Sequence, residues 1–163
     1  MDWIVIYTKP KNEKKVQEQL SIMGHEAYCP CQRKLKQWSD RKKWVQEPIF
    51  KSYVFIQPPQ SELKKKEILQ LHGVVRFLYW LGKPAKVKQT EIDAIKTFVA
   101  GYNNIQVHSF NKGITIQVKD GLLKGSKGVV MYQTKNEVIL RIDQLGMSLS
   151  AKISKTYIEP LRL

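Results

Sequence analysis

The chain has 163 residues, 42% hydrophobic and 26% charged, which is the composition of one or two small globular domains rather than of a disordered tail. Its 28 lysines and arginines against 14 acidic residues leave a net charge of +14, and that excess points to a polyanionic neighbour. Nucleic acid fits better than a membrane: no apolar run approaches the roughly 20 residues of a spanning helix, and "MDWIVIYTKPK" lacks a basic flank leading into a long apolar stretch, so a cytoplasmic location is expected.

"DWIVIYT" (Asp2 to Thr8) is a β-branched run stopped by Lys9-Pro10, a strand. "NEKKVQEQLSIMG" places Val16, Leu20 and Met23 at i, i+4, i+7 before Gly24, which predicts an amphipathic helix. "HEAYCP" and "KLKQW" read as extended, "SDRKK" as a polar turn, and "WVQEPIF" as the returning strand. Cys29 and Cys31 flank Pro30 at the start of this region. C-x-C is too short for a redox C-x-x-C and has no second ligand pair for zinc, so both are read as small strand side chains without metal or cofactor.

"SYVFIQ" (Ser52 to Gln57) is a second strong strand, stopped by Pro58-Pro59, and Ser61 can cap a helix through "ELKKKEILQL". "GVVRFLYWL" is a third strand, turned at Gly82-Lys83-Pro84. Thr90 is placed to cap "EIDAIKTFV", with Asp93 reaching back and Ile92, Ile95 and Val99 along one face. Strands interleaved with three helices read as an α+β sandwich over residues 1–100. Residues 101–112 are polar and turn-rich, the expected linker. From residue 113, "ITIQV", "GVVMYQT", "EVILRI", "MSLSAKI" and "YIEPL" follow at short spacing, the pattern of a small five-stranded barrel. The basic excess is +9 over residues 1–103 and +5 over residues 104–163, so neither part carries it alone.

Enzymatic motifs are missing: His25, His72 and His108 stand far apart, and no H-E-x-x-H, G-x-S-x-G or G-x-G-x-x-G occurs. A binding protein is expected instead. Between Arg33 and Lys43 six basic residues (Arg33, Lys34, Lys36, Arg41, Lys42, Lys43) accompany one acid, Asp40, with Trp38 and Trp44 on either side of the turn. A basic hairpin tip can meet phosphates while tryptophan stacks on an unpaired base. The competing reading is a solvated hairpin whose tryptophans pack across the strands. Trp3, Tyr7, Tyr53, Phe55, Phe77, Tyr79 and Trp80 all fall on strands, with Trp3 and Tyr7 sharing one parity and Tyr53 and Phe55 another. Core and interface roles stand about even for these rings.

"WIVIYTKPKNEKKVQEQL", "GHEAYCP", "KSYVFI", "GVVRFLYWLGKPAKV" and "EIDAIK" occur in the order and spacing of the NusG N-terminal (NGN) domain, and "NKGITIQVKDGLLKGSKGVVMYQ" resembles the KOW motif that opens the family's C-terminal barrel. Gly121, Leu122, Lys124, Gly125 and Gly128 resemble the KOW turn. "QWSDRKKWVQEPIFKSYVF" is most similar to the operon-specific RfaH/UpxY-type paralogues, since Lys51-Ser52 stands where the general factor usually has Pro-Gly.

The resemblance implies a transcription elongation and antitermination factor that docks on the clamp helices of RNA polymerase through Tyr7, Tyr53 and Phe55, with Phe77 and Trp80 as further members of that face. It places Lys64, Lys65 and Lys66 toward the polymerase gate loop, and Lys9 and His72 on the non-template DNA strand. Non-template DNA or nascent RNA would also meet the basic hairpin. The KOW domain would recruit a small-subunit ribosomal protein or Rho. A monomer with a permanently β-structured C-terminal domain is expected. The alternatives are a general NusG-type elongation factor and a ribosome-associated or RNA-binding KOW protein.

Overall fold

The computed structural model describes residues 2–80, 82–109, 129–133, 137–142 and 145–152. In order the elements are β1 (Asp2–Thr8), α1 (Glu13–Ile22), β2 (Ala27–Tyr28), β3 (Cys31–Gln37), β4 (Lys42–Pro48), β5 (Tyr53–Ile56), α2 (Glu62–Gln70) and β6 (Val74–Phe77). There follow β7 (Tyr79–Trp80), β8 (Lys83–Pro84), β9 (Lys86–Lys88), α3 (Gln89–Gly101), β10 (Gln106–Ser109), β11 (Val129–Gln133), β12 (Glu137–Ile142) and β13 (Met147–Lys152).

β1 is apolar on both faces because it is covered on both. It pairs antiparallel with β5 along one edge and with β6 and β9 along the other, while β2 adds outside β5. Strand alternation then sorts the side chains. Ile4, Ile6, Val54 and Ile56 join Val16 and Leu20 of α1 and Ile68 of α2 in one buried cluster. Trp3, Val5 and Phe55 join Ile92, Ala94, Ile95 and Phe98 of α3 in a second, together with Ile49 and Phe50. That second cluster continues into Leu140 and Ile142 of β12 and Leu149 and Ala151 of β13, so the C-terminal strands share a core with the N-terminal sheet.

The helices follow the expected faces with shifts at their ends. Val16 and Leu20 are buried, but Met23 lies past the last turn of α1 and is exposed. Ser61 caps α2 as expected, its Oγ accepting from the Lys64 N–H at 3.3 Å. α3 starts one position before Thr90, after Lys88, and the reach-back carboxylate is Glu91, which accepts from the Lys88 N–H at 2.9 Å. Asp93 instead accepts from the Gln89 side chain at 2.9 Å. The acid nearer the strand reaches the orphan amide, because the helix enters directly from β9.

"GVVRFLYWL" breaks at Leu78: β6 stays on β1, whereas β7 turns away to form a two-stranded ladder with β8, pairing Tyr79 with Pro84 and Trp80 with Lys83. The segment 101–112, read as turn-rich linker, carries β10, which pairs antiparallel with β13; β12 and β11 complete a four-stranded sheet in the order β10-β13-β12-β11. The "ITIQV" and "YIEPL" strands, and the glycine-rich turn with Gly121, Leu122, Lys124, Gly125 and Gly128, lie outside the described residues. The connection between α3 and β10 is tied to the β3–β4 ladder by the Gln32 side chain, which donates to the Ile105 carbonyl at 2.9 Å and accepts from its N–H at 2.8 Å. Gln32 is buried, and this pair of bonds satisfies its amide.

Ser52, just before β5, adopts φ +64, a left-handed conformation in which a Cβ is strained. Its carbonyl accepts from the Thr8 N–H at 2.8 Å and its N–H donates to the buried Glu13 carboxylate at 2.7 Å. Ser52→Gly is therefore expected to stabilise the chain by about 1 kcal/mol, and Glu13→Ala to destabilise it by about 1–3 kcal/mol through the orphaned amide. Urea denaturation of both variants checks this. A neutral or destabilising Ser52→Gly would contradict the strain argument.

Candidate functional site

Tyr7 and Tyr53 face each other directly across the β1–β5 ladder, their rings edge-on at 5.9 Å. Both are half-buried, and burial raises the Tyr53 hydroxyl above its ordinary pKa, with the neighbouring Tyr7 adding to the effect. On the other side of β1, Arg76 pairs with Tyr7 and sets its guanidinium 5.7 Å from the ring centre. Phe55 shares the parity of Tyr53 but is fully buried, edge-on to Phe50 at 5.5 Å. Standing opposite Val5, it continues the same sheet face into the core. Phe77 is also buried, in the cluster on the opposite side of the sheet with α1 and α2. Trp80 sits on the separate β7–β8 ladder.

A cleft of about 750 Å³ opens over this pair. Tyr7, Tyr53 and Phe50 line one side, and Val107, His108 and Met147 of the C-terminal sheet line the other. Val107 and Met147 pack against the same cluster as Tyr53.

The β1–α1 and α2–β6 loops meet beside Tyr7. The Lys9 N–H donates to the Gly73 carbonyl at 2.8 Å, so Lys9 and His72 come to one end of the sheet, both exposed. Gly73 has φ +94, and a Cβ there would meet the Asn12 side chain at 2.8 Å, so this close approach requires glycine. Lys64 and Lys66 project from α2 into solvent, while Lys65 is ion-paired with Glu62.

The basic hairpin is the β3–β4 ladder. Trp38 and Arg41 close its turn, the Trp38 N–H donating to the Arg41 carbonyl at 2.8 Å around Ser39-Asp40. The register places Arg33, Leu35, Gln37, Lys42 and Trp44 on one face and Lys34, Lys36, Lys43 and Glu47 on the other. Trp44 stands opposite Leu35, so the tryptophans do not pair across the strands. Trp44 instead lies 5.0 Å from the Arg33 guanidinium and Trp38 6.0 Å from that of Arg41, both rings about half exposed.

The charge count of the hairpin also needs a correction. Glu47, outside the Arg33–Lys43 window, reaches back to Lys36 at 3.0 Å and Lys34 at 3.3 Å. Asp40 lies 4.0 Å from Arg41. Lys42 and Lys43 have no acidic partner among the described residues. Behind Trp38 runs a groove of about 470 Å³ with Lys11, Lys14, Lys36 and Lys51 on its walls and Glu13 and Glu47 between them.

Sequence reasoning missed Arg76, Lys11, Lys14 and Lys51 as neighbours of these sites. They are scattered along the sequence, away from the hairpin window, and only strand register and loop packing gather them. Among the described residues no group of three or more His, Cys, Asp or Glu could hold a metal ion, and no helix is long and apolar enough to cross a membrane.

The family profile described as transcription termination factor NusG matches residues 1–96. The chain belongs to the NusG family. The family comprises non-enzymatic transcription factors, and membership implies binding to RNA polymerase. A solved structure of Thermotoga maritima NusG, determined to describe its domain interaction, is similar over 99% of this chain and 98% of that one, with 16% identity and a TM-score of 0.51. At that identity the likeness concerns the fold: an NGN-like α/β region followed by a small β-sheet region. A search of curated proteins finds no match.

The hydrogen bond and ion pair to Lys36, reinforced by Lys34, hold the Glu47 carboxyl below its ordinary pKa of 4.5. A depressed folded-state value means that this contribution to stability is complete above the unfolded pKa and is lost as pH falls through the folded one. Carboxyl-detected NMR titration should place the Glu47 midpoint below 4.5 in the parent and move it up in Lys36→Gln. An unmoved midpoint would show that the pairing is not formed in solution.

Proposed function

We propose that this NusG-family chain is an operon-specific elongation and antitermination factor, which binds RNA polymerase and suppresses pausing or termination on loci such as polysaccharide operons. The observation that carries the docking part is the half-buried Tyr7–Tyr53 pair, next to the buried Phe55 on the same sheet face and flanked by Arg76. Two amphipathic rings on a rigid strand platform make a low-entropy anchor for an apolar helical surface such as the clamp helices. Phe55 acts by holding the pair in place, and Phe77 belongs to the core. Lys64 and Lys66 are free to meet the gate loop, and Lys9, His72 and the hairpin to meet non-template DNA or nascent RNA. Binding one polymerase conformation better than its paused alternative is sufficient for the effect, with no bond made or broken.

The operon-specific part rests on Lys51-Ser52. Ser52 keeps the left-handed backbone that a glycine would adopt without strain, so the departure from Pro-Gly preserves the turn while adding a lysine to the groove behind Trp38. In the same reading residues 1–100 are the NGN domain, 101–112 join it to the rest while lending β10 to the C-terminal sheet, and 113–163 close into the KOW barrel that recruits a ribosomal protein or Rho. Val107 and Met147 line the cleft over Tyr53, so the C-terminal sheet must shift for the clamp helices to enter from that side.

Tyr53→Ala should weaken polymerase binding about thirty-fold, on the order of 2 kcal/mol for a hot spot, with little change in stability. Phe55→Ala should instead destabilise the fold by about 3–5 kcal/mol. A folded Tyr53→Ala variant with parental affinity contradicts the docking face. Transcription in vitro separates the specialised factor from its alternatives: read-through should rise on a polysaccharide-operon leader and not on an unrelated template. An equal rise on both templates indicates a general elongation factor. Capture of ribosomal proteins without polymerase indicates a ribosome-associated protein.

On single-stranded nucleic acid, Lys42→Gln with Lys43→Gln should flatten the log–log salt slope by about 1.4, at about 0.7 per phosphate contact. Lys34→Gln with Lys36→Gln should flatten it less, because Glu47 already pairs with both. Trp38→Ala should cost about 1–3 kcal/mol with the slope unchanged. Equal slopes in the two lysine variants would remove the distinction drawn from Glu47.

A further inference from the structure

Cys29 and Cys31 are the only two cysteines of the chain. Their C-x-C spacing set them aside in the sequence, yet the structure brings their sulfurs to 3.9 Å. Cys29 is buried against Ile4, Ile6, Val16 and Leu20, whereas Cys31 is half-buried at the edge of that cluster and opens β3. The stretch between them is fastened: the Pro30 carbonyl accepts from the Ile49 N–H at 2.8 Å, and Cys31 pairs with Pro48.

We propose that Cys29 and Cys31 form a reversible dithiol–disulfide site at the root of the β3–β4 hairpin, oxidised by a peroxide. The two thiols differ in the way such a site requires. The hydrogen bond with Cys29, with help from the Lys14 ammonium, lowers the pKa of Cys31. The same hydrogen bond and burial raise that of Cys29. Cys31, the more exposed and more acidic thiol, is therefore the attacking group.

Its thiolate takes one peroxide oxygen as the O–O bond breaks. The leaving oxygen departs as water with a proton from solvent, and Cys31 becomes a sulfenic acid. Cys29 then gives up its proton and attacks the Cys31 sulfur. The S–S bond forms, the S–O bond breaks, and a second water leaves. In sum two thiols lose two electrons and two protons, and one hydrogen peroxide becomes two waters. The sulfurs must close from 3.9 Å to the roughly 2.05 Å of a disulfide. Because Pro30 is hydrogen-bonded to Ile49 and Cys31 stands opposite Pro48 in the ladder, that closure acts on the hairpin root.

The test uses the full chain treated with hydrogen peroxide and read by intact mass and maleimide labelling. The expected product is a monomer lighter by about 2 Da with both thiols blocked, restored by dithiothreitol. Limiting iodoacetamide on the untreated parent should label Cys31 before Cys29, a measurement that needs no variant. Cys29→Ser should trap Cys31 as a dimedone-reactive sulfenic acid, and Cys31→Ser should slow thiol oxidation by about ten-fold or more. If the parent yields only sulfinic acids on separate cysteines, or only disulfides between two molecules, the proposal fails. Preferential labelling of Cys29 overturns the assignment of roles.

Discussion

Burial of the Trp3–Val5–Phe55 face decides both how the chain packs and which rings remain for a partner. α3 covers part of that face with Ile92, Ile95 and Phe98, and Leu140, Ile142, Leu149 and Ala151 of the C-terminal sheet join the same cluster. At about 25 cal/mol for each square ångström of apolar surface removed from water, a shared cluster of this kind outweighs any single polar contact around it. Tyr53 and Tyr7 lie where the cover ends. Both rings line the cleft, and Phe50 and Phe55 pack edge-on in the cluster next to them. A ring pair so supported loses little conformational freedom on binding, which is what an anchor needs.

Much of this was legible in the sequence, and what was not has identifiable physical causes. The β-branched runs "WIVIYT" and "YVFI" and the Val16–Leu20 spacing announced β1, β5 and α1, because burial on a fixed face leaves a period behind. Parity placed Tyr53 and Phe55 on one face but could not say which of them the C-terminal sheet would help to bury. Phe77 fell to the face covered by α1 and α2 through the β1–β6 register, in which it stands opposite Ile6. β10 escaped notice because "QVHS" is four residues long and partly polar, and its strand conformation depends on pairing with β13. Lys88, not Thr90, precedes α3 because β9 runs straight into the helix, and tertiary continuity overrides the better intrinsic cap.

The electrostatics of the hairpin show the same limit. Reading charges within a window left six cations against Asp40, yet cross-strand geometry gives Lys34 and Lys36 a partner in Glu47, opposite Gln32 at the ladder's root. Free positive charge thus concentrates toward the tip, at Lys42 and Lys43, with Trp38 beside them. The tip is joined by cations that the sequence scatters: Lys11, Lys14 and Lys51 line the groove behind it. A protein of +14 net charge gains steering toward nucleic acid from all of them. Residues that combine free charge with an exposed ring add contact energy to that steering.

The central claim is that Tyr53 sits against RNA polymerase in the working complex. A photo-reactive benzoylphenylalanine in place of Tyr53, irradiated in a reconstituted transcribing complex and mapped by mass spectrometry, tests it most directly. The account predicts a cross-link to the clamp helices of RNA polymerase, and none from the same probe placed at exposed Ile22 on α1. A Tyr53 probe that cross-links only within its own chain, or to ribosomal protein with no polymerase product, would contradict it.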